Sequence, residues 1–311
     1  MANQVASFGL FLLSSFLRGY ARHILLLLLL VAAAGGVFWL ALRPSEPVYQ
    51  GRRLSYWLNS LENWNGDTND AAFLAFRGMG TNAIPALLNV LQTGGSPFQT
   101  AIMKLNQQQS VVHLRFGTPW HQTMAAAWAF YAMGTNAKPA LPALTNLFFH
   151  TNELFTSTLA LAGIAPEGVS VLLTALTNRD YHIRDSAASG LGWVHSDLDV
   201  VVPALIASLR DGNLTVHHSA AFSLGHLHAL PELTVPALTN DLSNNNPLLR
   251  CIVLSSLAEF GGKAEECVPM VVAALNDNDG LVRTNAAHAL IKIDPEAAAK
   301  AGVKLLKGVA P

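Results

Sequence analysis

Seven histidines fall between residues 182 and 288, and crowded imidazoles raise the question of a metal site or a general base. They are His182, His195, His217, His218, His226, His228 and His288. His195 and His228 are 33 residues apart, the interval at which other residues of this region recur, so the two are expected to stack in neighbouring units. With His226 they make the trio worth weighing as metal ligands. His226 and His228 stand at i and i+2, however, on different sides of a helix, and no carboxylate holds a repeated position beside them. We read them as ordinary half-buried histidines without a metal, and keep His195, His226 and His228 as candidate contacts for a partner.

Other reactive residues lead to the same place. Cys251 and Cys267 lie in no CxxC pair and near no spaced His pair, so they form neither a disulfide framework nor a zinc-finger pattern. The sequence holds no HExxH, no phosphate-binding loop and no G-x-S-x-G, and Gly190-Leu191-Gly192 lacks the third glycine of a dinucleotide loop. No catalytic residue and no cofactor is expected. Trp128 follows helical spacing with Met124 and Ala125 and reads as core. Trp64 and Trp120 stand in polar or loop settings and join the candidate partner contacts, because aromatic residues are enriched at binding hot spots.

The elements that position these residues are written in the spacing. Arg184, His217, Arg250 and Arg283 share one position at 33-residue steps, as do Leu191, Leu224, Leu257 and Leu290. Pro203, Pro236 and Pro269 form another ladder, and Leu176, Leu209, Leu242 and Leu275 a further one. Each unit reads as two amphipathic helices: Arg184, Ala187, Ala188 and Leu191 follow i, i+3, i+4, i+7, and so do Val202, Leu205, Ile206 and Leu209. The ladder prolines are expected in the first turn of each second helix, where an N–H has no partner to lose. Polar clusters such as Ser243-Asn244-Asn245-Asn246 end one unit and begin the next. Met79-Gly80-Thr81-Asn82-Ala83 recurs 54 residues later as Met133-Gly134-Thr135-Asn136-Ala137, which leaves room for one additional helix near 97–108. The arginine ladder offers either an anion-binding row or donors to carbonyls and to Asp180, Asp211 and Asp277 in the adjoining turns. The second role is expected, since buried carbonyls need donors.

Two-helix units of this length, with Pro-Ala-Leu in the second helix and Arg followed by small residues in the first, resemble HEAT repeats. They are most similar to the short bacterial HEAT-like class that includes bilin lyase subunits. The resemblance spans about residues 70–311 and implies an all-α fold, an α-α superhelix or solenoid of about seven units. HEAT-type iron hydroxylases carry repeated His-Glu dipeptides, and this chain has none. A repeat that cannot bury its apolar stripe alone stacks on its neighbours and presents a long surface. The resemblance therefore implies a scaffold that binds a protein or peptide, with an enzyme subunit of bilin-lyase type as the alternative. Pro47 to Leu61 looks like the lead-in of membrane-anchored bacterial HEAT proteins, with Tyr56, Trp57 and Leu61 placed to cover the open end of the first repeat.

Ile24 to Leu42 is an unbroken apolar run of 19 residues, close to what a hydrocarbon core about 30 Å thick requires. Two readings fit: a single-pass anchor, and a signal peptide cleaved near Ala32-Ala33-Ala34. The anchor fits better, because the run continues through Val37-Phe38-Trp39-Leu40. The expected organisation is an N-terminal segment over 1–23, a transmembrane helix over 24–42, a linker and cap over 43–69, and a solenoid over 70–311. The expected location is the bacterial inner membrane with the solenoid in the periplasm, although arginines flank both ends of the run. Residues 43–311 carry 17 basic against 20 acidic residues, which argues against a nucleic-acid partner.

Overall fold

The computed structural model of the protein describes residues 46–61, 70–93, 119–150 and 154–303, together with Leu27, Leu30 and Val31. The chain divides into residues 1–46 and 47–311. In the first part, Leu27, Leu30 and Val31 are helical. The rest of the apolar run over 24–42 lies outside the described residues, and among the described residues no helix is long and apolar enough to cross a membrane. Trp64 and the additional helix expected near 97–108 also lie outside them.

In the second part, short polar side chains decide where helices begin. Asp180, Asn213, Asn246 and Asp279 recur at 33-residue steps, and each accepts a hydrogen bond from the backbone N–H two residues on, at 2.8–2.9 Å. Asp70 does the same for Ala72 at 2.7 Å. Each is an N-cap that satisfies one orphan donor of the first turn.

The helices so started pair into units. The first pairs are α2 (Ala71–Met79) with α3 (Ile84–Thr93), α4 (Pro119–Met133) with α5 (Leu141–His150), and α6 (Leu154–Gly163) with α7 (Glu167–Ala175). They continue as α8 (Tyr181–Leu191) with α9 (Leu198–Ser208), and α10 (Leu214–Leu227) with α11 (Pro231–Asn240). The last are α12 (Pro247–Glu259) with α13 (Val268–Ala274), and α14 (Gly280–Ile293) with α15 (Pro295–Lys300). The first helices α2, α4, α6, α8, α10, α12 and α14 pack one on the next in that order. Each second helix from α3 to α13 also packs on the first helix of the following unit. One continuous core results, running from Phe73 and Phe76 through Leu161, Leu191, Leu224 and Leu257 to Leu290.

Close packing of the first helices relies on small residues. The Ser223 hydroxyl donates to the Ala188 carbonyl at 2.8 Å, and one unit later Ser256 donates to Ala221 at 2.9 Å. A Cβ on Gly225 would sit 2.6 Å from the Ser256 Cα, so the backbones meet only because Gly225 has no side chain.

Arginine ties the turns together. Arg184 donates twice to Asp211 (2.7 and 2.9 Å) and once to the Asn178 carbonyl (2.8 Å). Arg250 repeats this with Asp277 (2.8 and 2.7 Å) and the Asn244 carbonyl (2.7 Å). Arg283 donates to the Asp277 and Asn278 carbonyls. Where the ladder residue is His217, the residue 27 further on is Asn244 instead of Asp, and His217 Nε2 pairs with Asp241 at 2.8 Å.

The proline ladder needs correction. Pro203 and Pro236 lie inside α9 and α11, in the second turn and not the first. The residues before them, Leu198–Val202 and Pro231–Val235, add a helical turn that the spacing did not reveal. Both prolines are exposed, as are Asp199 and Glu232, whose carbonyls lose the helical donor that a proline four residues on cannot supply. Pro269 does open its helix, after the 3₁₀ turn Gly261–Cys267.

The N-terminal end carries a hairpin, β1 (Val48–Tyr49) and β2 (Arg52–Arg53), which sequence periodicity did not indicate. Gln50 and Gly51 both take positive φ (50° and 74°), the geometry of a two-residue hairpin turn. Helix α1 (Leu54–Ser60) follows and packs on α2 and α4, burying Trp57 and Leu61 while Tyr56 stays 46% exposed. The Tyr49 ring packs against Gly78, where a Cβ would lie 2.2 Å from it.

Candidate functional site

A cluster of aromatic rings among the described residues is built around Trp193, in the turn that follows α8. Its position is fixed from three sides. Gly192 lets α10 approach, since a Cβ there would lie 3.1 Å from the Ser223 Cα. The Gly192 carbonyl then accepts from His226 Nδ1 at 2.8 Å, which lays the His226 ring against Trp193 at 4.6 Å. The Trp193 carbonyl accepts from the Tyr131 hydroxyl at 2.7 Å.

Tyr131 sorts out the tautomer of His195. Its hydroxyl has a single proton and gives it to the Trp193 carbonyl, which can only accept. His195 Nε2, 2.7 Å away, is therefore the donor to the hydroxyl oxygen. Burial pushes the Tyr131 phenol up to about 12, so it keeps its proton at any physiological pH. Gly163 makes room for this arrangement, because a Cβ there would meet the Tyr131 Cα at 2.4 Å. Trp128 meets Trp193 edge-on at 5.3 Å, and the exposed Phe222 stacks beyond His226 at 6.3 Å. The ring chain Trp128, Trp193, His226 and Phe222 thus spans residues contributed by three units.

Beside Trp193 lies a groove of about 310 Å³ between α6 and α8. Phe155, 51% exposed, lines it together with Trp193, Thr158, Gly190, Asp185 and Ser189. Ser219 donates a short hydrogen bond to Asp185.

The candidate residues separate as follows. His195 and His226 both come to Trp193. His228 does not stack on His195: its Nδ1 pairs with the carbonyl of His226 at 3.0 Å, and among the described residues no hydrogen bond or ring contact joins the two. Equivalent helices have different lengths here. α8 ends at Leu191, but α10 runs one turn past the equivalent Leu224, so His228 becomes a C-cap at φ 33° while His195 sits in an open turn. Trp120 is 62% exposed in the first turn of α4, not in a loop, and packs edge-on against its neighbour His121. Among the described residues no three His, Cys, Asp or Glu are grouped as metal ligands. Cys251 is half-buried and Cys267 buried, both are unpaired, and burial pushes the Cys267 thiol up to about 11.

Tyr131, Phe155 and Phe222 stand outside the sequence-derived candidates. Phe222 had a signal: the equivalent residues in neighbouring units are Ser189, Ser255 and His288, so an aromatic there breaks a polar ladder. Phe155 and Tyr131 had none, because their units depart from the 33-residue interval.

Residues 235–307 match the family of HEAT repeats, and the helix pairs upstream share the two-helix architecture of that stretch. No curated protein matches the chain. Two engineered proteins of known structure are similar at 18% identity and TM-score 0.40, with 79% of this chain covered and 74% and 96% of theirs. Human deoxyhypusine hydroxylase in complex with glycerol is similar at 17% identity and TM-score 0.36, over 77% of this chain and 96% of its own. Likeness at this level assigns neither activity nor partner to the chain.

Proposed function

We propose that the protein is a non-catalytic scaffold that binds a partner protein on the surface centred on Trp193, and that residues 24–42 anchor it in a membrane. The observation that carries the binding face is the aromatic chain from Trp128 to Phe222. Tyr131 and His226 are held by hydrogen bonds to backbone carbonyls, Phe222 stacks on the His226 ring so held, and Phe222 is 59% and Phe155 51% exposed. Exposed aromatic side chains bury much apolar area at small cost in conformational entropy on binding, which favours them as hot spots. The polar groups at the site are engaged in positioning: Tyr131 and His195 with each other, His226 Nδ1 with a carbonyl. That arrangement suits a rigid contact surface better than proton transfer.

The anchor rests on the 19-residue apolar run, of which Leu27, Leu30 and Val31 are helical and more than 60% exposed. The anchor is proposed to lie in a bacterial inner membrane, with the solenoid on the periplasmic side.

The test uses surface variants that leave the core alone. Phe222→Glu and Phe155→Ser are expected to lose the partner in co-purification from the native membrane while keeping the parent's melting temperature. Retention of the same partner by both variants would exclude this face. The parent chain is expected to remain in the membrane pellet after alkaline carbonate washing, and release into the supernatant would exclude the anchor.

A further inference from the structure

We propose that the groove between Phe155 and Trp193 receives a lysine or arginine side chain of the partner, with Asp185 as its counter-ion. This rests on the binding face described above and assigns its chemistry. The groove, about 310 Å³, suits one long side chain. Its lining includes Phe155, Trp193 and the buried Leu159, and apolar lining suits the methylene stem of Lys or Arg. Aromatic faces attract the cationic head.

Asp185 selects the charge. It is half-buried, accepts from the Ser219 hydroxyl, and enters no ion pair among the described residues. The imidazole near it, His218, is held below the ordinary histidine range by burial and brings no positive charge at neutral pH. An apolar anchor would seal this carboxylate from water without a cation, which is costly, and an acidic anchor would be repelled. The surroundings agree: residues 154–303 carry 15 Asp and Glu against eight Lys and Arg, a field that steers a basic partner toward the face.

The experiment uses the full chain in detergent and three labelled alanine-based peptides that differ only at two central residues: arginine, norleucine or glutamate. Fluorescence anisotropy is expected to show binding of the arginine peptide that weakens with salt. Binding at least tenfold weaker is expected for the norleucine peptide, and none for the glutamate peptide. Asp185→Asn is expected to weaken arginine-peptide binding about tenfold, the value of one charge-assisted contact. Asn still accepts from Ser219, so the fold is kept. Phe155→Ala, at an exposed position, is expected to weaken it as well. Equal affinity for arginine and norleucine peptides, an Asp185→Asn affinity within twofold of the parent, or no binding of the arginine peptide would each overturn the proposal. Loss of the native partner in Phe222→Glu, together with unchanged partner binding in Asp185→Asn, would overturn the basic anchor and leave the face standing.

Discussion

Asp277 shows how much one carboxylate can carry when its position repeats. The two hydrogen bonds from Arg250 hold its carboxyl below the ordinary value of 3.8. A carboxylate with a depressed folded-state pKa contributes stability that is complete above that ordinary value and fades as pH falls through the folded-state one. Asp277→Asn is therefore expected to cost about 2 kcal/mol at pH 7. In urea titrations the gap between parent and variant should narrow below pH 4, and a gap unchanged at pH 2.5 would refute the pairing. The arginine ladder was legible because Arg at one position goes with Asp 27 residues later, at both 184/211 and 250/277. His217 breaks the pattern and finds Asp241 instead, a partner no repeat interval pointed to. Glycine gives a second test at this scale. Gly225→Ala would press a methyl to 2.5 Å from the Ser256 Cβ and is expected to cost about 2 kcal/mol, whereas Gly212 faces open space and its alanine variant should be neutral or slightly stabilising. Equal melting temperatures for the two variants would contradict the close approach of α10 and α12.

At the scale of elements, helix beginnings are the most legible feature. Asp180, Asn213, Asn246 and Asp279 lie in the polar clusters that punctuate the units, and each is a cap. Asn246→Ala is expected to cost about 1 kcal/mol in thermal unfolding, and Asn246→Asp almost nothing. A loss as large for Asp as for Ala would mean the side chain has another role. Helix ends were less legible. The apolar ladder continues past Leu224 in α10 as it does past Leu191 in α8, so spacing alone does not say that α10 runs a turn further. That turn separates His228 from His195. The same limit hid the turns ahead of Pro203 and Pro236, because helical residues before a proline look no different from a loop ending at it.

At the scale of the molecule, helix packing runs chiefly between neighbouring units, with the contacts of Trp128 and Tyr131 to Trp193 and His195 reaching one unit further, so perturbations away from that site should stay local. Trp57 covers the first unit, and Trp57→Ala is expected to raise hydrogen exchange in α2–α4 while leaving α12–α14 protected. Uniform loss of protection would contradict a linear stack. The stack was readable from interval alone, whereas the site was not. His195 and His226 reach Trp193 through Tyr131 and Gly192, and Tyr131 lies 64 residues from His195, an interval that is no multiple of 33. Irregular upstream units bring together what a regular repeat would have kept in step.

A photo-cross-linking residue placed at Phe222 or at Leu233 in the native membrane decides whether a partner sits on the Trp193 face. Both positions are exposed, at 59% and 48%, but Leu233 belongs to the second-helix layer. The expected result is a discrete adduct from Phe222 that disappears in an Asp185→Asn, Phe155→Ala background, with none from Leu233. An adduct from Leu233 alone, or none from Phe222 while the partner still co-purifies, would place the partner elsewhere on the molecule.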